Sequence, residues 1–238
     1  MLNIAYGGAW QGVVQSPAAW VFTSVLVVVV PIVDYLLYFR LKSALELYAW
    51  NICAEWSLVA GCVWVIRAKG LRLVDIGERL GSPSRTIMVS GLLLAIVAML
   101  VIAKIRPRNA SVEHLSRGVG QARRLLPVNR TERAVWVAVA LTAGVCEEFL
   151  YRGWLLSLIG TALGSVSGGL VVSSIVFGIA HAYQGRNGVI GASALGIGAV
   201  FVLSGTLVLG QILHTVIDLN NGFALGKIVG RLENMADS

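Results

Sequence analysis

Three strongly apolar stretches in the second half of the chain carry side chains able to do chemistry: Glu147, Glu148 and Arg152, then Phe177 and His181, then His214 and Asp218. A charge at the centre of a bilayer costs roughly 2.5–3.5 kcal/mol on insertion scales, so such groups face a partner, a cavity or a reaction. Glu148 and Arg152, Phe177 and His181, and His214 and Asp218 are each four residues apart, which sets both members of a pair on one helix face. Three helices can therefore aim their polar groups at one place. Glu and His are the side chains of proton transfer. The same set could also relay protons in a transporter, hold a metal, or satisfy one another as a buried network.

The elements that must position these groups are membrane helices. Of the 238 residues 57% are hydrophobic and only 13% charged, and the mean hydropathy is +0.79. We expect an all-α, polytopic transmembrane bundle of about seven spans, six to eight, forming a single integral membrane domain over residues 1–238. Apolar windows run from Trp20 to Phe39, Leu45 to Ile66, Ile87 to Ile105, Ala134 to Ile159, Ala162 to Tyr183, Gly188 to Leu203 and Leu207 to Val229. Ser204-Gly205-Thr206 reads as a tight break and Pro31 as a kink in the first span. The first basic residue is Arg40, so no signal peptide is expected, and Met235-Ala-Asp-Ser238 carries no prenylation box.

The net charge of +7 follows topology. The connection from Lys104 to Arg133 holds eight of the 19 Lys and Arg residues, which makes it cytoplasmic by the positive-inside rule, with the N-terminus outside and the C-terminus cytoplasmic. Arg67, Lys69, Arg72, Arg79 and Arg85 then lie on the far side, against the trend of that rule. Val112, Leu115, Val119, Ala122 and Leu126 recur at helical spacing opposite Arg117, Arg123 and Arg124. That pattern suits an interfacial helix on anionic lipid, the partner expected for the 104–133 loop; no nucleic acid is expected. The expected location is the cell (plasma) membrane.

Cys53, Cys62 and Cys146 form no metal pattern, and Cys53 and Cys62 are too far apart along one helix to be bridged. Gly164 with Gly168, and Gly222, Gly226 and Gly230, leave smooth faces suited to close helix packing.

Taken in order, Glu147-Glu148-xxx-Arg152, Phe177-xxx-His181 and His214-xxx-Asp218 resemble the three boxes of the CPBP family, the CAAX-protease and bacteriocin-processing group of intramembrane glutamic endopeptidases. The resemblance covers residues 130–230, the expected catalytic helices. It implies peptide-bond hydrolysis by water, without a covalent acyl-enzyme, in a membrane peptide or lipidated protein substrate. It also implies that Glu147 is the general base, that His181 holds and polarises the water, and that His214 and Asp218 lie around the developing oxyanion.

Chemistry qualifies these roles. An ionised Asp218 has no proton to donate to an oxyanion, so we expect it to accept from one nitrogen of His214 and orient the ring. Glu148 four residues before Arg152 is a favourable helical ion pair and reads as structural support. Phe177 is expected to line the substrate groove. At about 1.5 Å of rise per residue, Glu147 and His214 lie at matching depths, whereas His181, five residues from Arg186, requires a tilted helix or a turn that dips into the bundle.

No cofactor and no metal is expected, since no helical His-Glu…His zinc motif occurs. The alternative functions are a non-proteolytic membrane regulator and a proton-coupled transporter using the same Glu/His network, although no inverted repeat is apparent. Asp34, Glu46 and Glu55 fall outside the three boxes and are expected to pair within the bundle or sit near an interface.

Overall fold

The computed structural model describes residues 8–91, 94, 120–193 and 196–236. Within them the chain forms α1 (Gly8–Val14), α2 (Pro17–Arg40), α3 (Ala44–Ala68), α4 (Arg130–Leu163), α5 (Val166–Ala180), α6 (Arg186–Ala192), α7 (Gly196–Ser204) and α8 (Leu207–Ala236). Short 3-10 turns at Leu73–Ile76, Gly120–Leu125 and Ala182–Gln184 complete the architecture, and no strand occurs among the described residues. The protein is an all-α helical membrane bundle.

Helices α2, α3 and α4 are long and apolar enough to cross a membrane, and α5 is a shorter apolar helix. The outer two show it in their exposed faces: Val28, Ile32, Leu36 and Phe39 of α2 and Trp64 of α3 turn large apolar groups outward, as lipid requires. Helix α4 is instead the centre of the bundle, with 61% of its apolar window buried against 11% for α2 and 17% for α3. Of the expected span from Ile87 to Ile105, residues 87–91 and 94 are helical, continuing a helix from residue 83, and the rest lie outside the described residues. The described parts of the expected span from Gly188 to Leu203 are helical, in α6 and α7, and the stretch is another of the shorter apolar helices.

Local chemistry fixes the start of α4. Asn129 Oδ1 accepts from the Glu132 amide at 2.9 Å, while Glu132 Oε2 accepts from the amides of Val128 and Asn129 at 2.7 and 3.2 Å. This reciprocal cap satisfies donors that the first helical turn leaves unpaired. Midway, from Glu148 to Leu155, α4 is π-helical, and α2 is π-helical from Val25 to Val29, just before Pro31. Both insertions fall beside the polar centre described below, where such turns are common. The pyrrolidine of Pro31 is accommodated by this widened turn.

Trp154 of α4 ties the core together. It is fully buried, donates to Thr23 Oγ1 at 3.0 Å, and packs its ring 5.9 Å from Trp10 and 5.6 Å from Phe22.

Helices α4 and α8 approach closely at Gly144, where an added Cβ would lie 2.8 Å from the carbonyl of Gln211 and also strike Thr215 Oγ1. This crossing is one turn from Glu147 and one residue pair from His214. We expect Gly144→Val to force the helices apart and to lower stability by about 1–3 kcal/mol, the usual range for overpacking. The thermal unfolding midpoint in detergent should fall and cleavage should be lost with it; an unchanged midpoint would remove Gly144 from the positioning of the site.

The glycine stripe of α8 serves the same interface: Gly222 faces the Trp136 ring and Gly226 the Pro127 carbonyl. Gly164 differs from expectation. It has φ +62° and ends α4 in the left-handed region, with no atom near its missing Cβ, so it makes a turn and no helix contact. The close α4–α5 contact is at Gly169, which meets Gly160 and the Leu156 carbonyl.

Residues 112–119 of the expected interfacial helix lie outside the described residues. The remainder does not rest freely on lipid. Leu125 and Leu126 are buried. Arg124 donates to the carbonyl of Tyr38 at 2.6 Å and to that of Leu41, Tyr48 donates to the Leu125 carbonyl at 2.7 Å, and Tyr38 donates to the Gln121 carbonyl. The last carbonyls of a helix lack intrahelical partners, and Arg124 caps those of α2. At the other end of α8, Leu207 donates to the Gly77 carbonyl at 3.0 Å, and Gln211 Nε2 donates to Glu78 Oε1 at 2.6 Å. Glu78 is in the connection after α3; burial raises its carboxyl above the usual range, and the Gln211 hydrogen bond opposes that shift.

Candidate active site

Helices α4, α5 and α8 bring the three sequence motifs together. Glu147 Oε1 lies 3.9 Å from His181 Nε2, and Glu147 Oε2 lies 3.6 Å from His214 Nε2. His181 is the residue that ends α5, and the 3-10 turn Ala182–Gln184 follows it. Its place at the end of a 15-residue helix still brings its ring within reach of Glu147.

Each imidazole is held by its second nitrogen. His181 Nδ1 donates to the Phe177 carbonyl at 2.8 Å, the unpaired carbonyl four residues back. In neutral His181 this leaves Nε2 as an acceptor directed at Glu147. His214 Nδ1 donates to Glu148 Oε1 at 2.9 Å. The same oxygen of Glu148 lies 3.1 Å from Arg152 Nη1, and both side chains are buried to 1% exposure or less. Arg152, Glu148 and His214 thus form a buried row that ends at Glu147.

This row changes the expected part of Asp218. Its Oδ2 is 3.6 Å from His214 Nε2, beyond a hydrogen bond, so the residue that orients the ring is Glu148. Asp218 stands on the same side of the imidazole as Glu147. Its helix is anchored there by Trp136, whose indole donates to the Asp218 carbonyl at 3.1 Å.

Phe177 is not on an open groove wall. It is 3% exposed, with its ring 4.5 Å from that of His181, 4.8 Å from Tyr151 and 6.0 Å from His214. The Arg152 guanidinium lies over it at 4.1 Å, a cation–π contact that supports a buried charge. Phe177 therefore separates the two histidines and supports both.

Glu147 and His181 open onto a cavity of ≈ 40 Å³, measured as space available to the centres of water molecules. One water needs roughly 10–15 Å³ of such space, so the cavity admits water beside the carboxylate. Its far wall comes from α2 and α3 and includes Asp34, Asn51 and Glu55. The sequence reading gave Asp34 and Glu55 no place in the site. The signal that could have found Glu55 is its pairing with Asn51 four residues before, the same one-face spacing that picked out the three motifs; Asp34 has no such partner on α2. Asp34 accepts from Trp50 Nε1 at 2.8 Å, while Glu55 Oε2 is buried without a hydrogen-bond partner. Among the described residues Cys53, Cys62 and Cys146 are free thiols, and no three His, Cys, Asp or Glu side chains are grouped as metal ligands.

Neither the comparison with curated proteins nor that with solved structures gave a match. A protein-family model does match, over residues 129–220. That stretch runs from the cap of α4 to just past Asp218 and so holds every member of the three motifs. Over those residues the helices that build this centre are similar to a family described as type II CAAX prenyl endopeptidase Rce1-like.

Proposed function

We propose that the protein is a metal-independent intramembrane endopeptidase that hydrolyses a peptide bond in a lipid-modified, membrane-associated peptide, with Glu147 activating the water. One observation carries this reading. Glu147 Oε1 and, in neutral His181, Nε2 are two acceptors facing each other across 3.9 Å, and a water molecule can donate one O–H to each. Its lone pairs are then directed away from both, towards a carbonyl carbon.

As the water oxygen attacks that carbon, Glu147 takes one proton and the carbonyl oxygen becomes an oxyanion. Collapse of the tetrahedral species breaks the C–N bond while Glu147 returns the proton to the leaving amine. His214, when it carries a proton on Nε2, has an N–H to offer the oxyanion. Asp218 lies on that same side of the ring and helps shape the oxyanion pocket. Glu148 and Arg152 position His214. The family match supports a prenylated peptide as substrate class. The basic 104–133 connection supports a cytoplasmic C-terminus, anionic lipid as its neighbour and residence in the cell membrane.

The direct test is to incubate the purified protein in lipid nanodiscs with a prenylated CAAX-type peptide and identify new termini by mass spectrometry. Cleavage should continue within about twofold when EDTA or phenanthroline is present, because a carboxylate base needs no Lewis acid. Loss of cleavage that added zinc restores would replace Glu147 by a metal as activator. Absence of any cleavage would favour a binding role.

A further inference from the structure

Two rows of side chains run side by side along α4 through the first motif. Glu148 and Arg152 make the row that fixes His214. Glu147 and Tyr151, also four residues apart, make the row beside it. Glu147 and Tyr151 both line the cavity together with His181, whereas Glu148, Arg152 and His214 do not. Among the described residues three tyrosines are buried, and two of them spend their hydroxyls on the backbone: Tyr38 donates to the Gln121 carbonyl and Tyr48 to the Leu125 carbonyl. Tyr151 is the exception. It is 5% exposed, and its hydroxyl has no hydrogen-bond partner among the described residues, although a buried phenol normally finds one. Its ring is packed against Phe177 with centroids 4.8 Å apart, and Phe177 lies 4.5 Å from the His181 ring. Packing thus holds phenol and imidazole at the same cavity.

We propose that Tyr151 is a further catalytic residue, whose O–H donates to the oxygen of the attacking water. This rests on the endopeptidase reading and deepens it by a third contact. A water molecule held by Glu147 and His181 alone can still swing about the line between its two acceptors. With both hydrogens given to those residues and one lone pair accepting from Tyr151, a single lone pair is left to meet a carbonyl carbon, and the direction of attack is set. Tyr151 keeps its proton throughout. One proton of the water passes to Glu147 and on to the leaving amine, while the phenol bond stays with the same oxygen as it becomes the hydroxyl of the tetrahedral species. The oxyanion forms on the His214 side, away from the cavity, so the two donors serve different oxygens. The widened turn is closed at this residue as well: the Tyr151 carbonyl accepts from the amide of Leu156, five residues on, the kind of bulge that recurs at functional sites.

The test is Tyr151→Phe, which keeps the ring against Phe177 and removes the hydroxyl alone. With the prenylated reporter peptide kcat should fall about tenfold while KM stays within about twofold, the pattern of a contact made to the reacting water and not to the peptide. In a His181→Ala background, where the water has already lost one acceptor, the same change should cost at most about threefold, whereas a merely structural role would cost the same factor in both backgrounds. A crystal or cryo-EM map of the wild type fine enough to show ordered water should place one about 2.7 Å from the Tyr151 hydroxyl and in contact with Glu147 and His181. A fall in kcat below about threefold, a rise in KM at unchanged kcat, or a map in which the hydroxyl donates straight to Asp34 or Glu55 overturns the assignment and leaves the endopeptidase intact. Water held at all three groups in a protein that cuts nothing overturns the endopeptidase and leaves Tyr151 as a water ligand.

Discussion

Glu147→Gln should abolish peptide cleavage, lowering kcat by about 10³-fold or more, towards the upper part of the range that a positioned general base supplies. The amide keeps the shape of the carboxyl group, so the variant should fold and still bind substrate. What it loses is specific. Gln offers no anionic oxygen to take a proton from water, and its NH₂ group would present a donor where an acceptor is needed. Because both oxygens of Glu147 face an imidazole nitrogen, at 3.9 and 3.6 Å, neither orientation of the amide restores the wild-type arrangement. The measurement is cleavage of the prenylated reporter by protein whose thermal midpoint matches wild type. Retained turnover in such a sample would transfer the base function to another group, and Glu55 and Asp218 would be the next carboxylates to replace.

Arg152→Ala should produce the largest loss of stability of any single change in the site, about 3–5 kcal/mol, the cost of leaving one member of a buried ion pair alone. Glu148 is fully buried and Arg152 is 1% exposed. With Arg152 gone, Glu148 keeps His214 as its one polar partner among the described residues, and Phe177 loses the guanidinium stacked on its face. Arg152→Lys should rescue little, because an ammonium cannot combine planar stacking with a forked set of donors. Changing both partners, as in Glu148→Gln/Arg152→Met, should recover much of the stability without recovering activity, since His214 then has no anion to orient it. The check is the unfolding midpoint of each variant in one detergent, read beside turnover. If Arg152→Ala unfolds at the wild-type midpoint, the pair contributes nothing to holding α4 together.

Hydropathy made the long elements legible. The window from Trp20 to Phe39 corresponds to α2 and that from Leu45 to Ile66 to α3, because lipid-facing helices must be apolar over their whole length. The stretch from Gly188 to Leu203 is likewise helical over its described parts. The residues of the three motifs were legible from one-face spacing, which depends only on regular helical pitch. The partner of His214 was not. Spacing on α8 alone pointed to Asp218, four residues away, whereas the hydrogen bond comes from Glu148 on α4. A contact between helices distant in sequence leaves no trace in the periodicity of either. Asp34 and Glu55 escaped for a related reason: neither has an oppositely charged or histidine partner four residues away, and only folding sets both spans against α4.

The widened turn at Glu148–Leu155 also limits how this chain can change length. A π-helical stretch spreads one extra residue over the same rotation, so removing one residue there and relaxing to ordinary α-helix would leave the flanks, Glu147 and Leu156 onward, nearly in phase. The same deletion in the α-helical part before Glu147 would instead turn Asn129 and the start of α4 by about 100° relative to the site. A one-residue deletion within the widened stretch should therefore disturb the packing of the rest of α4 less than one between Arg130 and Glu147, and designed chimaeras should cross over before Asn129 or after Gly164.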